Sequence, residues 1–301
     1  MKVLLLGRQG QLGWELQRAL SVLGEVVALS SDAMKNLDGL CGDFTDLAGL
    51  ERSVLQVQPD VIVNAAAHTA VDKAESEPEL AQTINALAPA TLARTATKLG
   101  AWLIHYSTDY VFDGSGSAPW KETDGTGPLS VYGQTKLEGE LAVATTPKHL
   151  ILRTSWVYAA RGGNFAKTML RLAGERETLT VINDQFGAPT SAELLADVTA
   201  HVLRVLPHHP ELAGLYHCVA SGETTWHGYA QFVLTQAQAL GLPLKAGPDQ
   251  IATTPTSSYP TPAKRPLNSR LDTRKLQTAF SLTLPNWQAG VTRMLTEISG
   301  K

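Results

Sequence analysis

Short, strongly apolar runs alternate with amphipathic stretches from the first residue onward, and this alternation limits the architecture more than any other feature. "KVLLL" leads into "LGWELQRALSVLG", where Leu12, Leu16, Leu20 and Leu23 share one helical face and Gly24 stands where that helix should end. "EVVAL", "DVIVNAAA", "AWLIHYS" and "HLILRTSWVY" repeat the apolar theme. Helical patterns separate them, over "LAGLERSVLQV", over roughly residues 76–99 and from Val131 onward. Strands that are apolar throughout, rather than at every second position, are buried on both faces and need helices to cover them. The expected fold is therefore α/β, a doubly wound parallel sheet.

Past about residue 157 the pattern loosens. "NFAKTMLRLAGER", "AELLADVTAHVLRVL" and "NWQAGVTRMLTEI" read as helices, and "LYHCVA" as a strand returning to the sheet. Residues 243–270, rich in Pro, Thr and Ser, read either as an irregular linker or, through Lys264 and Arg265, as the lining of an anion site. At 301 residues a single core gives way to two. A net charge of −3 gives no footing for a nucleic acid or an anionic membrane surface, and no apolar run approaches the roughly 20 residues of a membrane span. The start lacks an export signal, and Cys41 and Cys218 have neither disulfide-framework nor metal-ligand spacing. A cytoplasmic protein with reduced thiols is expected.

The first strand runs directly into "GRQGQLG", which places Gly7, Gly10 and Gly13 three apart at the start of a helix. Glycines let the backbone turn tightly and approach a pyrophosphate, whose charge meets the free N–H groups of the helix start. In that position the turn reads as a dinucleotide site, so the sheet is expected to be of the Rossmann type. The second strand ends in Ser30 and Ser31 with no carboxylate for a ribose 2′-hydroxyl, Asp32 coming slightly late. Arg8, inside the turn, is expected to face a 2′-phosphate, so NADPH should serve at least as well as NADH. The predicted division is a coenzyme domain over 1–157, completed by about 190–222. A smaller discontinuous substrate domain is expected from about 158–189 and 223–301.

Tyr132 and Lys136 stand one helical turn apart in "VYGQTK", and a Tyr-x-x-x-Lys pair alone is weak evidence. "HYSTDYVFDG" supplies context, since it closes a strand and brings Ser107, Thr108 and Tyr110 to the carboxyl rim of the sheet. Reduction of a ketone puts negative charge on oxygen, so a proton donor must stand in reach. A cation one turn along should lower the phenol's pKa from its usual value of about 10. Lys136 can also hold ribose hydroxyls, and Thr108 can polarise the carbonyl. His68 and His105 read as structural, and His208 and His209 as a solvated loop.

The glycine turn, strand-end Thr and Tyr-x-x-x-Lys together resemble the extended short-chain dehydrogenase/reductases. "VNAAAHTAVDKAESEPE", "RTSWVYA", "NFAKTML", "INDQFGAPT" and "RPLNSRL" narrow the likeness to the dTDP-4-dehydrorhamnose reductase family, from end to end of the chain. That resemblance implies reduction at C4 of dTDP-4-dehydro-L-rhamnose, the last step of dTDP-L-rhamnose synthesis, with the proton from Tyr132. It places Gln11, Leu12, Asp43, Phe44, Ala65, Ala66, Ala67, Thr69 and Tyr106 on the coenzyme. Val71, Thr108, Asp109 and Trp156 would face the sugar, with Asn164 and Arg265 on the diphosphate. Asp43 reads equally as a cap for a helix beginning near Thr45, and Trp156 as core. Some members hold Mg²⁺ between subunits through glutamates, and Glu15, Glu193 and Glu297 occupy the matching positions, which implies a homodimer. The alternatives are a nucleotide-sugar epimerase of the same superfamily and a non-catalytic subunit resembling the β subunit of methionine adenosyltransferase.

Overall fold

The computed structural model describes all residues except 33, 35, 37, 38 and 301. β1 (Lys2–Leu6), β2 (Glu25–Leu29), β3 (Val61–Asn64), β4 (Trp102–Thr108) and β5 (His149–Thr154) lie in one parallel sheet with the strand Gly214–His217. The spatial order is Gly214–His217, β5, β4, β3, β1, β2. Strand order therefore reverses between β1 and β3, and the crevice at their carboxyl ends is where ligands bind in such sheets.

Side chains alternate between two cores. Val3, Leu5, Val63, Ile104, Tyr106 and Leu152 pack beneath α1 (Gln11–Leu20) and the helix Ala192–Val205. Leu4, Leu6, Ile62, Leu103 and Ile151 meet α2 (Leu47–Val57) and α5 (Ala88–Leu99) on the other face. Both faces are dry, which is why these strands are apolar throughout. Leu16 and Leu20 are fully buried on the inner stripe of α1 and Gly24 follows with φ +153°, as the leucine spacing predicts.

The long helix expected over 76–99 is broken. After α3 (Val71–Ala74), α4 (Pro78–Gln82) passes into a π-helical turn, Thr83–Leu87, before α5 begins. Asn85 in that turn is wholly buried, accepting from His68 N–H and donating to its carbonyl and to Thr135 Oγ1. It thereby seats α6 (Val131–Val143), the helix that carries Tyr132.

A third core gathers Tyr158, Met169, Val181, Tyr229, Val233, Trp287 and Val291 between the helices Phe165–Glu175, Trp226–Ala239 and Trp287–Ser299. Trp226–Ala239 escapes a reading by periodicity because its apolar residues surround it. The segment 243–270 is not a linker. Ile251–Thr254 pairs in parallel with Leu179–Ile182, and Asn268 donates to the carbonyls of Ser115 and Ala118. No helix of the described residues is long and apolar enough to cross a membrane.

Candidate active site

A cleft of about 690 Å³ opens at the carboxyl ends of β1, β3 and β4. The glycine turn forms its floor. Gly7 has φ +86° and donates to Leu29 O, and a Cβ on Gly13 would stand 2.0 Å from Gly7 O, so neither position admits a side chain. Gly10 caps α1 and lines the cleft, and a Cβ there would meet only Gly7 O, at 3.5 Å. Its small size thus answers to what lies in the cleft rather than to the fold.

Gln11, Leu12, Ser30, Ser31, Asp43, Phe44, Ala65, Ala66, Ala67, Thr69 and Tyr106 line this same cleft. Asp46, not Asp43, caps α2, through Gly49 N–H at 2.8 Å. Asp43 instead accepts from Thr45 N–H and hydroxyl. Arg8 corrects the expectation set for it. Its guanidinium donates to Ala28 O at 3.2 Å beside β2 and lines a separate hollow with Lys2 and Glu25.

At the far end stand Thr108, Asp109, Tyr110, Tyr132 and Lys136. Ser130 caps α6 by accepting from Gly133 N–H, so Tyr132 falls in the first turn and Lys136 one turn deeper. Lys136 Nζ donates to Tyr106 O at 2.7 Å and lies 3.4 Å from Nε2 of His105, whose Nδ1 is 3.0 Å from Asn64 Nδ2. Burial brings the Lys136 ammonium down to about 8, against a smaller upward pull from Glu140. Burial and the Lys136 charge hold His105 well below its usual value.

The phenol departs from the expected acidification. Burial pushes Tyr132 up to about 12, with the Thr108 hydroxyl pulling it down and the Asp109 carboxylate pushing it up. Lys136 is directed at the β4 backbone instead, and desolvation dominates the phenol. Thr108 donates to Asp109 Oδ1 at 3.1 Å, and Asp109, fully buried, is raised to about 6 by desolvation.

Trp156 also lines the cleft, as does Val71. Trp156 has φ +48°, which breaks the run "HLILRTSWVY" into β5 and the short strand Val157–Tyr158. Trp226 stacks on its ring at 3.7 Å and 16°. A Cβ on Gly187 would come within 2.8–3.2 Å of three atoms of the same ring system. The Trp226 ring and the Gly187 backbone thus both close on the Trp156 indole. Trp226 itself, part of the cleft wall, was not read from the sequence. Gln185 aims it, accepting from its Nε1–H at 2.9 Å while donating to Thr256.

Arg265, from the Pro-rich segment, reaches the cleft and pairs with Asp72 at 2.6 Å. Asn164 caps the helix Phe165–Glu175 and donates to Ala159 O at 2.7 Å and, at 3.3 Å, to Oε1 of Gln11 in the cleft wall. Glu15, Glu193 and Glu297 lie close enough that the first and last push the Glu193 carboxyl up, after desolvation. Glu15 and Glu193 are, however, paired with Arg18 and Arg293. Among the described residues no group of three or more His, Cys, Asp and Glu side chains is placed to hold a metal ion. The expected Mg²⁺ site is therefore not formed within one chain.

The family model described as "RmlD substrate binding domain" matches residues 1–299. The dTDP-4-dehydrorhamnose reductase of Salmonella typhimurium is 59% identical over 299 residues, covering 99% of this chain and 98% of that one. A dTDP-4-dehydrorhamnose reductase from Clostridium acetobutylicum superposes with a TM-score of 0.88 at 35% identity, covering 99% of both chains. One from Bacillus anthracis, crystallised in complex with NADP, gives 0.85 at 32%, covering 98% of this chain and 99% of that one.

Proposed function

The chain belongs to the dTDP-4-dehydrorhamnose reductase family, and from that premise we propose how its own residues divide the work of an NAD(P)H-dependent reductase. The substrate is the 4-keto-6-deoxy sugar nucleotide dTDP-4-dehydro-L-rhamnose and the product is dTDP-L-rhamnose. The observation that carries the assignment is that Tyr132, linked to Thr108, shares one cleft with the glycine turn.

The coenzyme, when bound, supplies hydride to C4. The N–H groups at the start of α1 receive its pyrophosphate, and Asp43, Phe44, Ala65, Ala66, Ala67, Thr69 and Tyr106 form its walls. Ser30 and Ser31 at the adenosine end carry no charge against a 2′-phosphate, so both NADPH and NADH are accepted. Lys136 holds the nicotinamide ribose through the donors not spent on Tyr106 O. Tyr132 gives its proton to the ketone oxygen. A donor must be protonated before it acts, and burial that holds the phenol near 12 keeps it so throughout the neutral range. The alkoxide being formed is far more basic, so the transfer is downhill. Thr108 turns its hydroxyl from Asp109 to the carbonyl. Val71, Asp109, Trp156 and Trp226 bound the sugar, and Arg265 meets the diphosphate.

Residues 1–157 with about 190–222 serve the coenzyme, and about 158–189 with 223–301 the sugar nucleotide; the separate third core supports this division, while Leu276, Phe280 and Leu284 join the core of the central sheet instead. Free thiols at Cys41 and Cys218 suit a cytoplasmic protein. A homodimer formed as the resemblance implies would put Glu15, Glu193 and Glu297 at its seam, and light scattering on Glu297→Lys tests it. The function is tested by NADPH absorbance. Purified protein with the ketosugar nucleotide should consume NADPH stoichiometrically, whereas epimerisation without net consumption, or no turnover, would refute it.

A further inference from the structure

Tyr110 has no part in the proton or hydride transfer, yet four contacts converge on it. It sits in the single 3₁₀ turn that follows β4, with its N–H donating to Thr108 Oγ1 at 3.2 Å. Its ring meets the Tyr132 ring edge-on, with centroids 5.5 Å apart and planes at 77°. Its carbonyl presses on α6 at Gly133, where a Cβ would come within 2.2 Å. Its hydroxyl lies near enough to the Arg265 guanidinium for that charge to act on it, and both residues line the cleft. Arg265 in turn is fixed by Asp72 and keeps a buried Nε–H that no described residue accepts. All three residues line the one cleft.

Edge-to-face aromatic pairs have a preferred geometry, so one ring constrains the plane of the other. Besides Tyr110, the Thr108 hydroxyl acts on the Tyr132 phenol. We propose that Tyr110 is a positioning residue that couples the seat of the substrate's diphosphate to the proton donor: its hydroxyl answers to the Arg265 guanidinium in the shared cleft, and its ring fixes the plane of Tyr132. This rests on the assignment of Arg265 to the diphosphate and of Tyr132 to the proton. A substrate that engages Arg265 through its diphosphate thereby settles the aim of a phenol from a different lobe of the molecule. The diphosphate end of the ligand then contributes to turnover and not only to affinity.

The test is a double-mutant cycle on the full chain, with steady-state NADPH consumption and calorimetric titration of dTDP as readouts. Arg265→Ala should raise KM for the ketosugar nucleotide and weaken dTDP binding by about tenfold or more, as expected on loss of a charged hydrogen-bond donor. Tyr110→Phe keeps the ring and loses the hydroxyl, and should raise KM by about threefold to tenfold. Combined with Arg265→Ala it should add less than about twofold, because the interaction it removes is already gone. Tyr110→Leu, which removes the ring, should lower kcat by about tenfold while weakening dTDP binding no more than Tyr110→Phe does. Full additivity of Tyr110→Phe and Arg265→Ala overturns the coupling alone, and it decides the matter even if Tyr110→Leu fails to fold. Wild-type kcat in a folded Tyr110→Leu overturns it equally. Unchanged KM and dTDP affinity in Arg265→Ala overturn the diphosphate assignment and the coupling with it.

Discussion

Tyr132 faces opposing demands, since a buried phenol holds its proton tightly and a proton donor must release it. The site meets them by keeping the phenol neutral until an alkoxide forms, with the Lys136 ammonium one helical turn below it on α6. Tyr132→Phe removes the proton and should cut turnover by at least about a hundredfold, the low end for a positioned acid, as read by NADPH consumption. The alkaline limb of the pH profile then belongs to Lys136. Its pKa is lowered to about 8, so the ammonium is lost as pH rises through that value and kcat/KM should fall above it. The phenol, held near 12, adds no limb in that range. Lys136→Arg keeps its charge at any working pH, so whatever its rate, the descending limb near pH 8 should vanish from its profile. Spacing made Tyr132, Lys136 and Thr108 legible because strand end and helix turn fix where those side chains go. Arg8 turned another way because proximity in sequence does not decide where a long side chain points.

Elements were legible where one residue pattern met one environment. The central strands are dry on both faces and α1 is amphipathic, so each declares itself. The π-helical turn at 83–87, the strand 251–254 and the helix 226–239 were not, because tertiary partners and not local pattern select them. The glycine turn is the element most exposed to test. A Cβ on Gly13 would lie 2.0 Å from Gly7 O and 2.9 Å from Arg8 Cα, both backbone atoms that cannot step aside. Gly13→Ala should therefore lift α1 from the turn. It should destabilise the chain by about 1–3 kcal/mol in denaturant titration and weaken NADPH binding in the same protein. The carboxylates of Glu15, Glu193 and Glu297 belong to helices whose contact lies away from the cleft. Dialysis against a chelator should accordingly leave turnover unchanged, and a loss restored by Mg²⁺ would show otherwise.

At the scale of the whole molecule, the sheet and the catalytic helix are tied by one buried ion pair. Arg153 on β5 binds Glu140 on α6 through both carboxylate oxygens, at 2.8 and 2.6 Å, and lies 4.9 Å over the Phe112 ring. Both partners are almost fully buried. Such a pair contributes little net stability beside an apolar pair of equal volume, but breaking one half of it leaves a charge without an answer. Glu140→Gln should thus cost about 3–5 kcal/mol in denaturant titration, and Glu140→Leu with Arg153→Met should cost less than Glu140→Gln alone. Glu140 also stands one turn below Lys136 and favours its ammonium form. Removing that carboxylate lowers the Lys136 pKa further, so in Glu140→Gln the alkaline limb of kcat/KM should move below pH 8. If stability falls while the limb stays in place, the pair is a fastener only. A shift in both shows that the contact joining helix to sheet also sets the charge under the active phenol.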